Sequence, residues 1–323
     1  MFYCWKGFVT GTLVLAMAPV LRVKDLSKRF PGKTPVTAVD SISFTLEEGE
    51  ILGLLGQNGA GKTTTIHMLL GTLTYTSGSI EYFGKEFQDS RSEILQHIAF
   101  ASTYINLPWK LSIEQNLEVF GRLYGLTGAE IKKRQGPLLE RFGIADRIKF
   151  KTSSLSAGQL TRLMLVKAFL VKPKIVLLDE PTASLDPDIA KEVCAFLLEE
   201  RQKEGTAMLF TSHKMDEVAE LCDRILFLQQ GKIVADDEPK NLIKTISMPK
   251  VELVIVDGMK RLVSVAVGLG LQHRIDHRLV ELHIEESKIA EFLSRLVRLE
   301  VVFSSIQIHQ PTLEDYFLKM VKR

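Results

Sequence analysis

Residues 51–63 read ILGLLGQNGAGKT, and this stretch decides the fold of the chain. Its last eight residues match GxxxxGK[ST], a loop that follows a strand, opens a helix and wraps around the phosphates of a nucleotide. Residues 51–55 are continuously apolar, as in a buried strand, and a helical pattern covers 62–70. Glycines allow close backbone approach to a polyphosphate, and the helix start adds positive potential. The stretch therefore predicts an α/β fold with a nucleotide site.

The phosphate loop supplies most of the predicted contacts to ATP. Lys62 is predicted to reach the β- and γ-phosphates as a catalytic residue, and Thr63 to ligate Mg²⁺. The predicted nucleotide-binding residues of the loop are Gly56, Gln57, Asn58, Gly59, Ala60, Gly61, Lys62, Thr63 and Thr64.

A second apolar run, at 175–178, ends at Asp179 and Glu180. Open α/β sheets bind ligands at the carboxyl ends of their strands, so both carboxylates are expected beside the phosphate loop. Asp179 is predicted to hold Mg²⁺ through water. Glu180 is predicted to polarise the attacking water, a general-base role worth about 10²–10⁴-fold. The alternative is a strand that simply ends in surface acids.

His213 follows a third apolar run, at 208–210, that has a polar end. A single histidine at a strand end often has only a structural role. Because this strand is expected in the same sheet as the phosphate loop, His213 is predicted to be catalytic through contact with the γ-phosphate.

Leu155-Ser156-Ala157-Gly158-Gln159 resembles LSGGQ, the signature motif of ABC-transporter ATPase subunits, with Ala157 as a mild departure. The resemblance implies a P-loop NTPase sheet core with an inserted helical subdomain, and it covers about two thirds of the chain. It also implies that Ser156 and Gly158 bind the ATP of the opposite subunit. Two copies, or this chain and a paralogue, would then form a dimer with two shared sites.

Two further segments match this family. Phe30 stands where the family has an aromatic that stacks on adenine, although packing in the core is an alternative. Residues 183–186 resemble the D-loop, which crosses the dimer interface and places Asp186 near the nucleotide.

One motif departs from the family pattern, because no Gln follows the strand at 98–100. Gln96 precedes that strand and Gln115 lies well beyond it. Ser102, Thr103 or Asn106 could supply an oxygen to the metal instead. Trp109 is expected either in the groove that receives a membrane subunit or buried in the helical subdomain.

The chain divides into three predicted parts. Residues 1–21 form an N-terminal extension, 22–240 an ABC ATPase domain with its helical subdomain at about 108–168, and 241–323 a small α+β domain. The apolar stretch at 8–21 has the features of a secretory signal, but translation starting at Met17 is the favoured interpretation. Apolar runs at 42–46, 51–55, 98–100, 175–178, 208–210 and 225–228 are the predicted strands of the ATPase domain.

Composition excludes several functional classes. The net charge of +2 among 323 residues predicts no nucleic-acid partner, and three scattered cysteines do not make a disulfide framework. No run of about 18 apolar residues predicts a membrane span.

The C-terminal part, ending in PTLEDYF at 311–317, resembles exporters whose permease is a separate polytopic chain. The predicted function is therefore that of an ATP-hydrolysing subunit, peripheral on the cytoplasmic face of the membrane, that drives export by dimer closure. A soluble ABC ATPase acting on ribosomes or DNA and a catalytically weak regulator are the alternatives. Neither the transported substrate nor the identity of the second ATPase subunit follows from the sequence.

Overall fold

The computed structural model describes residues 18–102, 107–245 and 248–321. Within these ranges the strands form three sheets: a six-stranded sheet and a four-stranded sheet before residue 240, and a second four-stranded sheet after it. The proposed start at Met17 and the apolar stretch before it lie outside the described residues.

The elements up to residue 102 are β1 (Leu21–Phe30), β2 (Val36–Leu46), β3 (Ile51–Gly56), α1 (Lys62–Leu69), β4 (Ser77–Tyr82), β5 (Lys85–Glu86), α2 (Arg91–Leu95) and β6 (Ile98–Ser102). A helical region follows, with α3 (Ile113–Leu123), α4 (Gly128–Arg141), two single 3₁₀ turns (Ala145–Arg147 and Thr152–Ser154) and α5 (Ala157–Leu170).

The chain then returns to the sheet through β7 (Ile175–Asp179), α6 (Pro187–Glu204), β8 (Ala207–Thr211), α7 (Met215–Leu221), β9 (Arg224–Gln229), β10 (Lys232–Asp237) and α8 (Pro239–Lys244). The C-terminal elements are β11 (Lys250–Asp257), α9 (Met259–Gly268), β12 (His273–Asp276), β13 (Leu279–His283), α10 (Glu286–Arg298), β14 (Val302–His309) and α11 (Leu313–Val321).

The central sheet has the strand order β10-β9-β3-β8-β7-β6, and β10 alone runs antiparallel to its neighbour. Strands β3, β7 and β8 are buried along their whole lengths, because helices cover one face and the antiparallel sheet β2-β1-β4-β5 covers the other. Their parallel pairing brings the carboxyl ends of all three strands to one edge. There, Ser102, Asp179 and Thr211 stand side by side in register.

The helical region between β6 and β7 consists of α3, α4 and α5. Each helix begins with a reciprocal capping box, in which a hydroxyl and a Gln or Glu three residues later bond each other's backbone N–H groups. Each cap satisfies the amides of the N-cap residue and of the third helical residue, so each helix starts at a defined residue. The three pairs are Ser112 with Gln115, Thr127 with Glu130, and Ser156 with Gln159.

The C-terminal unit has the order β11-α9-β12-β13-α10-β14, and its antiparallel sheet has the strand order β12-β13-β11-β14. This is a split βαβ arrangement of the ferredoxin-like type. It has a core of its own, formed where α9 and α10 cover one face of the sheet.

The final helix, α11, leaves this unit and packs on the ATPase part. Leu313 and Tyr316 are buried in the core of the central sheet, and the Tyr316 ring meets Phe227 of β9 edge-on at 5.9 Å. The Gln229 side-chain amide donates to the Met320 carbonyl at 3.1 Å. Among the described residues, no helix combines the length and apolar character that crossing a bilayer requires.

Candidate active site

The phosphate loop joins the buried strand β3 to α1. Gly56 and Gly61 have positive φ angles of 151° and 110°. A Cβ atom at Gly56 would lie 2.3 Å from the Leu228 carbonyl oxygen, and one at Gly61 would lie 2.5 Å from that of Ala38. Both contacts are too short for any side chain, so the local backbone requires glycine at these positions.

A cavity of about 300 Å³ opens over this loop. Its walls come from the loop, from the start of α1 and from the ends of β7 and β8. The lining residues are Ala38, Asn58, Gly59, Gly61, Lys62, Thr63, Thr64, Asp179, Glu180 and His213. The predicted loop residues Gly56, Gln57 and Ala60 shape the loop without lining the cavity.

Lys62 is buried at the base of this cavity. Its ammonium donates to the carbonyl oxygens of Gly56 at 2.7 Å and Gln57 at 3.1 Å. Burial lowers the pKa of Lys62, and the negative charges of Glu180 and Asp179 oppose that change. The side chain therefore places a cation within the electrostatic reach of both carboxylates.

Asp179 ends β7 and is buried. It accepts a hydrogen bond of 2.8 Å from the Thr211 hydroxyl, which belongs to the neighbouring strand β8. That hydroxyl also accepts from the Glu180 backbone N–H at 3.1 Å. Thr211 thus fixes the orientation of both acidic residues.

Glu180 has a positive φ of 54°, which is uncommon outside glycine and is typical of strained functional positions. Its side chain is buried, and Oε1 accepts no hydrogen bond of good geometry. Burial raises the pKa of Glu180, although the nearby His213 opposes the shift. The structure therefore contains a carboxylate that is aimed into the cavity and is more basic than an ordinary Glu.

His213 follows β8, and its side chain is 54% exposed. Its Nε2 lies 3.0 Å from Glu180 Oε1, and its backbone N–H donates to Glu180 Oε2 at 3.3 Å. The structure therefore brings Lys62, Asp179, Glu180 and His213 to one cavity.

Four other predicted site residues do not line that cavity: Phe30, Ser156, Gly158 and Asp186. The Phe30 ring lies at the end of β1, is 39% exposed, and has the Lys28 ammonium 5.1 Å from its centroid. Ser156 is the N-cap of α5, with Gly158 in the first turn, and Asp186 is the N-cap of α6.

No described Gln takes the position of the missing motif residue in the cavity. The Gln115 side chain is bound in the capping box of α3, and Gln96 donates to the Leu123 carbonyl at 3.4 Å. Ser102 is buried at the end of β6 and pairs in register with Asp179. Thr103 and Asn106 lie outside the described residues.

Trp109 is 65% exposed, so its burial in the helical region, one of the two expectations, is wrong. The ring lines a small cavity of about 270 Å³ together with Leu107, Thr152, Ser153 and Leu160.

Sequence reasoning missed Thr211, which bonds to both acidic residues, and the contact between Thr182 and Glu217. Thr211 and Ser212 form the polar end of an apolar strand, and that pattern was the available signal for Thr211. Thr182 and Glu217 contact each other across 35 residues of sequence, and no local pattern marks such a pair.

Comparison with known proteins assigns the chain to a family. The profile of the ABC transporter family matches residues 39–183. The linearmycin resistance ATP-binding protein LnrL of Bacillus subtilis is 31% identical over an alignment of 312 positions that covers 94% of this chain and 99% of LnrL. The chain belongs to the ABC transporter ATP-binding proteins. Members of this family bind and hydrolyse ATP as part of a membrane transporter, and so does this ABC transporter ATP-binding protein.

Two more relatives agree with this assignment. The Nod factor export ATP-binding protein I of Ralstonia nicotianae is 33% identical over 229 residues, covering 71% of this chain and 70% of that protein. A solved structure described as the ATP-binding subunit of an ABC transporter superposes with a TM-score of 0.65 and 28% identity. It covers 70% of this ABC transporter ATP-binding protein and 92% of that chain.

Proposed function

We propose that the chain drives export through a separate polytopic permease and lies at the cytoplasmic face of the membrane. The observation that carries this proposal is the similarity to LnrL, which extends over 94% of the chain and therefore includes the C-terminal unit. A resistance protein and a Nod factor export protein are both among the relatives. The names of these two relatives support outward transport and do not select a substrate.

The nucleotide site would be completed by a second ATPase subunit, either another copy or a paralogue. In one chain, Ser156, Gly158 and Asp186 stand at helix starts away from the cavity that holds Lys62 and Glu180. Helix N-termini favour anionic groups, so the start of α5 is suited to phosphates presented by another subunit. Two such subunits would enclose two ATP molecules.

Mg²⁺ would be held by Thr63 and, through water, by Asp179. Both side chains line the cavity, and their oxygens are the hard ligands that this ion prefers. The described residues contain no group of three or more His, Cys, Asp or Glu arranged to hold a metal. That agrees with an ion that takes most of its ligands from phosphates and water. When bound, Mg²⁺ would neutralise charge on the phosphate oxygens.

Hydrolysis would proceed by attack of water on the γ-phosphorus. Glu180 would accept the water proton as the new P–O bond forms, and ADP would leave with the electrons of the broken bond. Lys62 would exchange its two carbonyl partners for phosphate oxygens, and His213 would donate to the γ-phosphate. The 3.0 Å contact between His213 and Glu180 supports a joint role at the same phosphate.

Co-purification tests this proposal most broadly. The tagged chain would be isolated from its own cells after mild detergent extraction, and stoichiometric partners would be identified by mass spectrometry. A polytopic membrane protein is the expected partner. Ribosomal or DNA-repair proteins without a membrane protein would overturn the transport role.

A variant of Trp109 tests whether this residue contacts the permease. Because Trp109 is exposed, Trp109→Ala is expected to keep the melting temperature of the wild type while less permease is recovered. The control is Val234→Ala, an exposed apolar residue on β10. Equal recovery from all three chains would exclude Trp109 from the contact.

A further inference from the structure

Glu217 forms a hydrogen bond with the loop of residues 180–186. This loop has Glu180 at one end and Asp186 at the other. Glu217 lies in the first turn of α7, four positions after His213, and its side chain is only 15% exposed. Glu217 Oε2 accepts a hydrogen bond of 2.5 Å from the Thr182 hydroxyl. Glu217 Oε1 lies 3.0 Å from the Lys214 ammonium.

Thr182 and Lys214 close this set of contacts. Thr182 is buried, and its carbonyl accepts from the Lys214 ammonium at 3.2 Å. The Lys214 ammonium therefore ties the residue after His213 to this loop, and the Ser212 hydroxyl, on the other side of His213, lies 3.5 Å from Glu217 Oε2. Because the Glu217 charge is largely removed from water, the bond it accepts is charge-assisted and comparatively strong.

The far end of the 180–186 loop touches the signature motif. A Cβ atom at Gly158 would lie 3.0 Å from the Ser184 carbonyl oxygen, so this loop lies against the start of α5. A continuous path of contacts therefore runs from the His213 segment through Glu217 and Thr182 to Gly158. Its two ends are the two halves of the proposed composite site.

We propose that Glu217 is a positioning residue for ATP hydrolysis. It holds the 180–186 loop on the segment that carries His213, and so keeps Glu180 and His213 in their mutual geometry. Glu217 does not line the cavity, and it acts through Thr182. This inference rests on the proposed roles of Glu180 and His213.

Two variants of the full chain test the contact between Glu217 and Thr182. Glu217→Ala and Thr182→Val are each expected to lower kcat for MgATP about tenfold, because small misplacements of catalytic groups are costly. KM for ATP should stay within about twofold, since the phosphate loop is untouched. The double variant should lose less than the product of the two single losses, because both single changes remove the contact between Thr182 and Glu217, while only Glu217→Ala also removes the contact with Lys214. Thr182→Ser, which keeps the hydroxyl, should restore most of kcat.

Matched controls come from the same helix. Asp216→Ala also removes a carboxylate from the first turn of α7, and Glu220→Ala removes one from its last turn; both positions are exposed. Neither should change kcat. Wild-type turnover of Glu217→Ala would overturn the proposal, as would strict additivity of the double variant or equal loss in Thr182→Ser and Thr182→Val.

Misfolding of Glu217→Ala and failure of the proposed catalytic roles must each be distinguished from failure of the positioning role. If Glu217→Ala does not fold, the comparison of Thr182→Val with Thr182→Ser decides alone, because both change little volume. Glu180→Gln is measured in parallel. Undiminished turnover of Glu180→Gln would refute the proposed catalytic roles, whereas a dead Glu180→Gln beside a fully active Glu217→Ala would refute only the positioning role.

Discussion

The two halves of the proposed nucleotide site differ in how complete they are within one chain. Lys62, Asp179 and Glu180 are buried and converge on one cavity. Burial shifts the pKa values of Lys62 and Glu180, and Asp179 accepts a hydrogen bond from Thr211. Ser156 and Asp186 are exposed helix caps outside that cavity. The first half is preorganised by the sheet, whereas the second half is exposed, as the proposed shared site requires.

The difference has a physical origin. Parallel strands bring their carboxyl ends to a single edge of the sheet, so Asp179, Glu180 and His213 lie together within one folded chain. The starts of α5 and α6 are exposed, so Ser156 and Asp186 can meet a ligand only at the surface. In the proposed arrangement, folding completes one half of the site and association would complete the other.

The largest expected effect comes from Glu180→Gln, which tests the preorganised half. Loss of the carboxylate should lower the hydrolysis rate by about 10²–10⁴-fold, because the general base is removed while the binding groups remain. ATP affinity should be little changed, and an ATP-bound dimer should accumulate in light-scattering measurements. Glu192→Gln, at an exposed position of α6, is the control. Hydrolysis at the wild-type rate would remove Glu180 from the chemistry.

His213→Ala is expected to have the second largest effect. Its side chain lies half exposed at the cavity, so nucleotide binding should stay within about twofold of the wild type. Single-turnover hydrolysis should slow by about 10²–10³-fold, because one donor to the transferred phosphate is lost. A fall in affinity equal to the fall in rate would assign His213 to binding.

Glycine substitutions separate the two halves directly. Gly61→Ala should weaken ATP binding by the isolated chain about tenfold, because its Cβ would meet the Ala38 backbone. Gly59→Ala shares a positive φ but meets nothing within 4 Å, so its effect should be smaller. Gly158→Ala should leave this binding unchanged and lower only hydrolysis. Titration with a fluorescent ATP analogue measures binding by all three variants. Weakened binding in Gly158→Ala would contradict the division of the site into two halves.

The smallest effect is on stability and its pH dependence. Because burial raises the pKa of Glu180, the folded chain holds this proton more tightly than the unfolded chain. Stability contributed at this position therefore falls as pH rises from the unfolded to the folded pKa. Glu180→Gln should melt a few degrees above the wild type at pH 7, and the gap should close below the ordinary pKa of Glu. A lower melting point at pH 7 would contradict the sign.

Most of the central sheet could be predicted because its strands are continuously apolar. The runs at 51–55, 175–178 and 208–210 fall within β3, β7 and β8. Strands β1 and β10 were missed, since charged residues interrupt the apolar pattern of each. The return of α11 to the ATPase part was also missed, because the contact of Tyr316 with Phe227 spans about 90 residues and leaves no local pattern.

The site divides in the same way. The residues with a motif, such as Lys62 and Glu180, could be predicted from spacing, and the structure places them together. The positive φ of Glu180 and the bond between Thr182 and Glu217 could not, because each depends on how distant segments meet. The Trp109 alternative was open because an aromatic beside Pro108 fits a core as well as a surface.

A mixing experiment tests the composite site most directly. Chains carrying Lys62→Ala and chains carrying Ser156→Arg should each be inactive alone. Co-expressed with two different tags, they should form mixed dimers in which one of the two sites pairs an intact phosphate loop with an intact signature motif. We predict recovery of up to about a quarter of wild-type turnover in the random mixture, if the two sites act independently. No recovery in a purified mixed dimer would contradict a site shared between two subunits.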